Sequence, residues 1–196
     1  MINSIFKKLI PSGKNQIIIY EINDRIGPID RHLAYTQELE NFLEENKWGK
    51  VVNEGTYLSE NREISGCDIH IQIASSAINN DVISRITIFL EKIGMPKGST
   101  LRMPKTGKKK SVGKMEGLAL YLNKEYTHIP GLDIEKFAQE IHNNIGHTNT
   151  SDRSWSNDEV DAVYFYNTSF EEMKRKLKVY LAEYNLTGYE KIVQIA

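Results

Sequence analysis

The chain has a single cysteine among its 196 residues, so it cannot close an internal disulfide, and Cys67 alone cannot supply the paired thiolates of a zinc site. Such a chain belongs in a reducing compartment, and a cytoplasmic location is expected. Its formal net charge is −1, which gives the molecule as a whole no electrostatic mandate to bind nucleic acid or anionic lipid. No apolar run approaches the ~20 residues that a membrane-spanning helix needs. Residues 1–15 read as a short N-terminal helix and extension, with Ile2, Ile5, Phe6 and Leu9 on one face and Lys7 and Lys8 opposite. No continuous apolar stretch follows, so the pattern is not that of a secretory signal.

Chemical motifs are equally sparse. The histidines fall on different predicted elements, and His142 and His147 are separated by Gly146 at a spacing that does not share one helix face. Neither a metal nor another cofactor is expected, because zinc needs three or four converging ligands. Gly107-Lys108-Lys109-Lys110 lacks the leading glycine of a phosphate-binding loop, and no serine stands in a nucleophile-elbow setting. The helix carboxylates sit at i, i+3 and i+4 beside lysines, as on ordinary solvated faces. A non-enzyme is the expectation.

What the chain does carry is periodicity. Ile17, Ile18, Ile19 and Ile22 form a β-branched run suited to a buried central strand, ended by Asn23-Asp24. From Asp30 to Asn46, Leu33, Leu39, Phe42 and Leu43 fall at helical spacing with glutamates outside. A strand over Val51–Leu58 follows, then strict alternation from Cys67 to Ala74, with Cys67, Ile69, Ile71 and Ile73 on one face. Asn80-Asp81 can cap a helix over Val82–Ile93, and Ser99–Met103 closes the set as a short strand. Strand, helix, strand, strand, helix, strand is the split-βαβ, ferredoxin-like order.

The same order then begins again, with strands expected over Gly117–Asn123, around Trp155, over Val160–Asn167 and over Glu190–Ala196, and helices over Asp133–Ile145 and Phe170–Tyr184. Asn23 answers to Asn123, Gln37-Glu38-Leu39 to Gln139-Glu140-Ile141, and Phe89-Leu90 to Tyr180-Leu181, as a duplication requires. The expected fold is α+β: tandem duplicated ferredoxin-like βαββαβ units, each a two-layer arrangement of helices on an antiparallel sheet. Residues 16–103 form the first unit, 104–115 a Lys-rich linker or hairpin, and 116–196 the second unit.

Two groups of side chains are candidates for contact with a partner. Asp68, His70 and Gln72 lie on the polar face of the alternating strand. Trp155, Tyr164 and Tyr166 lie on the middle strands of the second copy; such rings make interface hot spots, and they equally fill a core or a seam between copies. Lys105, Lys108, Lys109, Lys110 and Lys114 could track a phosphate backbone, although no aromatic within the block could stack a base and a solvated linker accounts for it as well.

Asn53-Glu54-Gly55-Thr56, Cys67-Asp68-Ile69 and Gly94-Met95-Pro96-Lys97-Gly98-Ser99 in the first half, with Val163-Tyr164-Phe165-Tyr166 and Ile192-Val193-Gln194-Ile195-Ala196 in the second, resemble an uncharacterised bacterial two-repeat, tandem ferredoxin-like family. The resemblance covers nearly all of the chain after residue 15. Small cytoplasmic proteins of this kind look like the immunity proteins that neutralise antibacterial toxins. The resemblance thus implies a non-catalytic protein-binding module, of an immunity type that blocks a partner toxin. Two alternatives stand beside it: an RNA-binding or RNA-processing protein, since paired ferredoxin-like units also occur in CRISPR endoribonucleases, and a small-molecule sensor binding between the two units.

Overall fold

The computed structural model describes residues 15–127, 134–145, 153–188 and 190–196. The expected N-terminal helix, His128, His147 and Tyr189 lie outside the described residues.

In the first unit β1 (Gln16–Ile22) leads through a short loop to α1 (Pro28–Arg31), a π-helical turn (His32–Thr36) and α2 (Gln37–Glu45). These three run on as one helical stretch, since Arg31, Thr36 and Gln37 all keep helical backbone angles. Pro28 opens it, where a missing N–H costs nothing. Then come β2 (Gly49–Leu58), β3 (Ile64–Ile73), α3 (Asn80–Lys92), β4 (Ser99–Met103) and β5 (Lys108–Val112). Asn79, one residue before the expected cap, accepts from the Val82 amide at 2.9 Å and starts α3. The sheet order is β2-β3-β1-β4-β5, antiparallel throughout.

The second unit contains β6 (Glu116–Asn123), α4 (Lys124–Thr127), α5 (Ile134–Ile145), β7 (Ser154–Ser156), β8 (Val160–Asn167), α6 (Phe170–Glu183) and β9 (Glu190–Gln194). Its order is β7-β8-β6-β9, again antiparallel. Numbered within each unit, both sheets run second, third, first, fourth, which is the ferredoxin-like order appearing twice.

The segment expected as a linker or hairpin is a hairpin. The amides of Thr106 and Gly107 both donate to the Met103 carbonyl, Gly107 takes the left-handed angle of φ 69°, and the chain returns along β4 with Lys109 opposite Arg102. Val112 anchors this strand in the first core, so the first sheet extends beyond residue 103 to five strands.

Alternation decides which face is core. Ile18, Tyr20 and Ile22 of β1 and Cys67, Ile69, Ile71 and Ile73 of β3 meet Leu39, Leu43, Ile86 and Leu90 of the helices. The Tyr20 hydroxyl bonds Thr87 Oγ1 at 2.8 Å and ties the central strand to α3. The second core repeats the plan with Leu118, Leu120 and Leu122 beneath Phe137, Ile141, Leu177 and Leu181. A third apolar cluster lies on the opposite face of the second sheet, around Ala119, Ala162, Tyr164 and Tyr166.

Candidate functional site

That third cluster marks where the two units meet. The loop after β1 supplies Asp24, which is fully buried, and Arg153 just before β7 clasps it with Nε at 2.8 Å and Nη2 at 2.9 Å. Tyr35 donates to the same carboxylate at 2.7 Å. Burial works against the Arg153 charge, but the Asp24 carboxylate outweighs it and holds the guanidinium above its ordinary range. The neighbouring Arg25 donates to Tyr121 Oη at 2.8 Å and to Glu63, and Glu63 Oε1 also accepts from Tyr121 and Tyr164, each at 2.7 Å. The Arg25 amide donates to Tyr166 Oη at 3.0 Å, and the Arg25 and Arg153 guanidiniums lie 5.1 and 5.3 Å from the ring centres of Tyr164 and Tyr166.

Tyr164 and Tyr166 are therefore seam residues. They were candidates for contact with a partner, but they are buried, because the second sheet turns its helix-free face toward the first unit's 23–25 loop and Glu63. Trp155 packs half-buried on the same cluster. Asp24, Arg25, Glu63, Tyr121 and Arg153 escaped the sequence reading. Asn23-Asp24 carries a turn signal, but nothing in spacing couples Asp24 to a residue 129 positions later.

On the first sheet, β3 brings Asp68 and His70 together, with His70 Nε2 3.3 Å from Asp68 Oδ2. Tyr57 on β2 donates to the same oxygen. Burial and the Asp68 carboxylate push the Tyr57 hydroxyl up, so it remains a donor. Asp68 Oδ1 lies above Gly55, where an added Cβ would stand 2.7 Å away. It is buried without a hydrogen-bond partner among the described residues. Beside it Glu21 accepts from Thr100 at 2.7 Å, Arg102 at 2.9 Å and Lys109 at 3.0 Å, and these donors hold its carboxyl below the usual range. Gln72 lies one pleat further along β3, half-exposed, across from Ile17. The three polar candidates of β3 thus share one face, but Asp68 is itself mostly buried.

The lysines are spread over a hairpin. Lys105 is in its turn, Lys108, Lys109 and Lys110 are exposed on the edge strand β5, and Lys114 follows it. Lys109 pairs with Glu21 and Lys114 with Glu91 at 3.1 Å. Among the described residues no three histidine, cysteine, aspartate or glutamate side chains gather as a metal site. No helix of the described residues is long and apolar enough to cross a membrane.

Exposed apolar side chains are spread over several elements, with Ile88 on α3 and Val179 on α6. Ile29 and Leu33 on the first helical stretch and Val52, Tyr57 and Leu58 on β2 are all exposed. Arg31 holds that stretch against the strand, donating to the Gly55 carbonyl at 2.8 Å and to Thr56 Oγ1 at 2.7 Å, while Thr36 bonds Glu54.

No family model matches the chain, and no curated protein matches it. Among solved structures it is similar to an unknown protein from Galdieria sulphuraria, at 10% identity over 92% of this chain and 98% of that one, with a TM-score of 0.27. A second is described as a candidate glycine cleavage system transcriptional repressor, at 10% identity over 93% and 99%, with a TM-score of 0.32. On its own two sheet orders, the chain is an α+β protein of tandem ferredoxin-like units.

Proposed function

We propose that the chain is a non-catalytic module that binds another protein through its first unit. The observation that carries this reading is the run of exposed apolar side chains along the edge strand β2, Val52, Tyr57 and Leu58, the last of them 59% exposed. Scattered exposed apolar residues are normal; three along one edge strand suit an interaction surface. The seam supports the reading in a second way, because buried ion pairs and rings fix the two units together and let the first present a firm surface. Neutralising a toxin is one use of such a module, and it is the finer form of this proposal.

The test is purification of the tagged full chain from its host, with and without nuclease. One stoichiometric protein that survives nuclease is the expected result. Turnover of a substrate that a single side-chain change abolishes would sink the reading.

A second reading, nucleic-acid binding, is favoured by Lys108, Lys109 and Lys110 standing exposed along β5. Replacing all three with alanine should then weaken RNA binding and flatten its salt dependence. No RNA binding at low salt would retire it.

A further inference from the structure

The four sheet edges of the described residues differ in how they are guarded. In the second unit β7 has 3 residues and β9 has 5. In the first unit β5 has 5 residues, and three successive lysines open it. Short length and lysine are the usual protections of an edge strand. The remaining edge, β2, has 10 residues and carries only Lys50 and Glu54 as charges. Its register against β3 breaks at Val51/Asn53 and at Tyr57/Leu58 and is regular between Asn53 and Tyr57. Exposed apolar side chains stand at both breaks, Val52 at one and Tyr57 with Leu58 at the other. The edge therefore offers a five-residue regular stretch with an apolar grip at each end.

Its surroundings are acidic. From Pro28 to Glu60 there are seven acidic and three basic side chains, a net charge of −4 in a chain whose total is −1. Glu38, Glu40, Glu44 and Glu45 make no ion pair among the described residues. Glu40 and Glu44 line a surface depression together with Lys47, Gly49 and Lys50, so the acidic side of α2 adjoins the start of β2. A long edge with apolar ends and an acidic flank selects against phosphate backbones and for an extended cationic segment.

We infer that β2 is the docking edge for an extended basic segment of the partner protein, which adds to the first sheet as a strand beside Asn53–Tyr57. This rests on the protein-binding reading above and names its site and the chemistry of what it binds. Backbone groups other than the Gly55 carbonyl, which Arg31 holds, supply the hydrogen bonds, Val52, Tyr57 and Leu58 take the partner's apolar side chains, and the glutamates of α2 take its cations.

The test uses the full chain, labelled for amide NMR, and two capped peptides, one alternating lysine with valine and one alternating glutamate with valine. The lysine peptide should shift and protect amides of Val52–Leu58, bind at least tenfold tighter than the glutamate peptide, and weaken as salt rises. A Val52→Lys, Leu58→Lys variant with an unchanged melting curve should lose at least tenfold. Equal binding of both peptides, shifts centred on another edge, or indifference to the variant would each overturn the inference. So would protection of the same amides by self-association without peptide. A partner recovered from the host that stays bound to the variant overturns this site and leaves the protein-binding reading standing.

Discussion

Arg153 brings both Nε and Nη2 within 2.9 Å of the Asp24 carboxylate, with both residues buried and 129 positions apart in the chain. A pair of this kind is worth most when one half is removed, since the survivor is then a buried charge without its counter-ion. Asp24→Ala or Arg153→Ala should each destabilise the protein by about 3–5 kcal/mol in denaturant unfolding. The double variant should be less destabilised than the two single losses added together, because it leaves no lone charge behind. Additive losses would mean that the two residues do not act on one another.

Four tyrosines, Tyr20, Tyr35, Tyr164 and Tyr166, are buried, and burial pushes each hydroxyl up from its ordinary value of 10.0. For Tyr35 and Tyr166 the Asp24 charge adds to burial in the same direction. An unfolded chain releases these protons near pH 10 while the folded one keeps them, so their contribution is whole below pH 10 and is lost as pH rises beyond it. Absorbance titration should show these rings ionising together with unfolding. Smooth ionisation of all ten tyrosines near pH 10, with the fold intact, would contradict the seam.

Glu21 behaves in the opposite sense. Thr100 first, then Lys109 and Arg102, hold its carboxyl below the ordinary 4.5. Its contribution is present above pH 4.5 and is lost as pH falls through the lowered value. Glu21→Gln should shallow the acid limb of stability against pH. The change should stay below about 1 kcal/mol, because the group is partly solvated. An unchanged acid limb would show that the three donors do not stabilise the ionised form.

Cys67 faces the first core, fully buried, and burial pushes its thiol up. Thiolate is the reactive species, so a thiol reagent should label Cys67 only through opening of the first unit. Labelling should therefore slow in step with added stability and accelerate in denaturant. Rapid labelling of the folded protein would place β3 elsewhere.

Asp68, one residue along, shows where reading a pattern stops. The alternation that set Cys67, Ile69, Ile71 and Ile73 inward also set Asp68, His70 and Gln72 outward, and both halves of that statement hold. Outward did not mean exposed, because Tyr57 from β2 closes over Asp68. The same limit applies to Tyr164 and Tyr166: period-two alternation puts them off the second core, but not against another unit.

Local period, turn residues and caps were legible in the chain because each is decided by neighbours within a few positions. They mark out β4 and β8 residue for residue, the four expected helices of the two repeats to within a few positions, and the duplicated strand order, but not the short α4. The chain alone could not decide which helix-free face would be covered, that Lys108–Val112 would pair as a fifth strand, or that Asp24 would meet Arg153 and Glu63 would meet Tyr164. The fifth strand pairs locally, Met103 opposite Lys108, across a turn whose composition suits a linker as well, whereas the covered face and the two buried meetings depend on contacts across 101 and 129 positions, made only once both sheets exist to bring their faces and loops together. Sequence spacing carries no trace of them, since a buried charge is recognised by its partner and not by its neighbours.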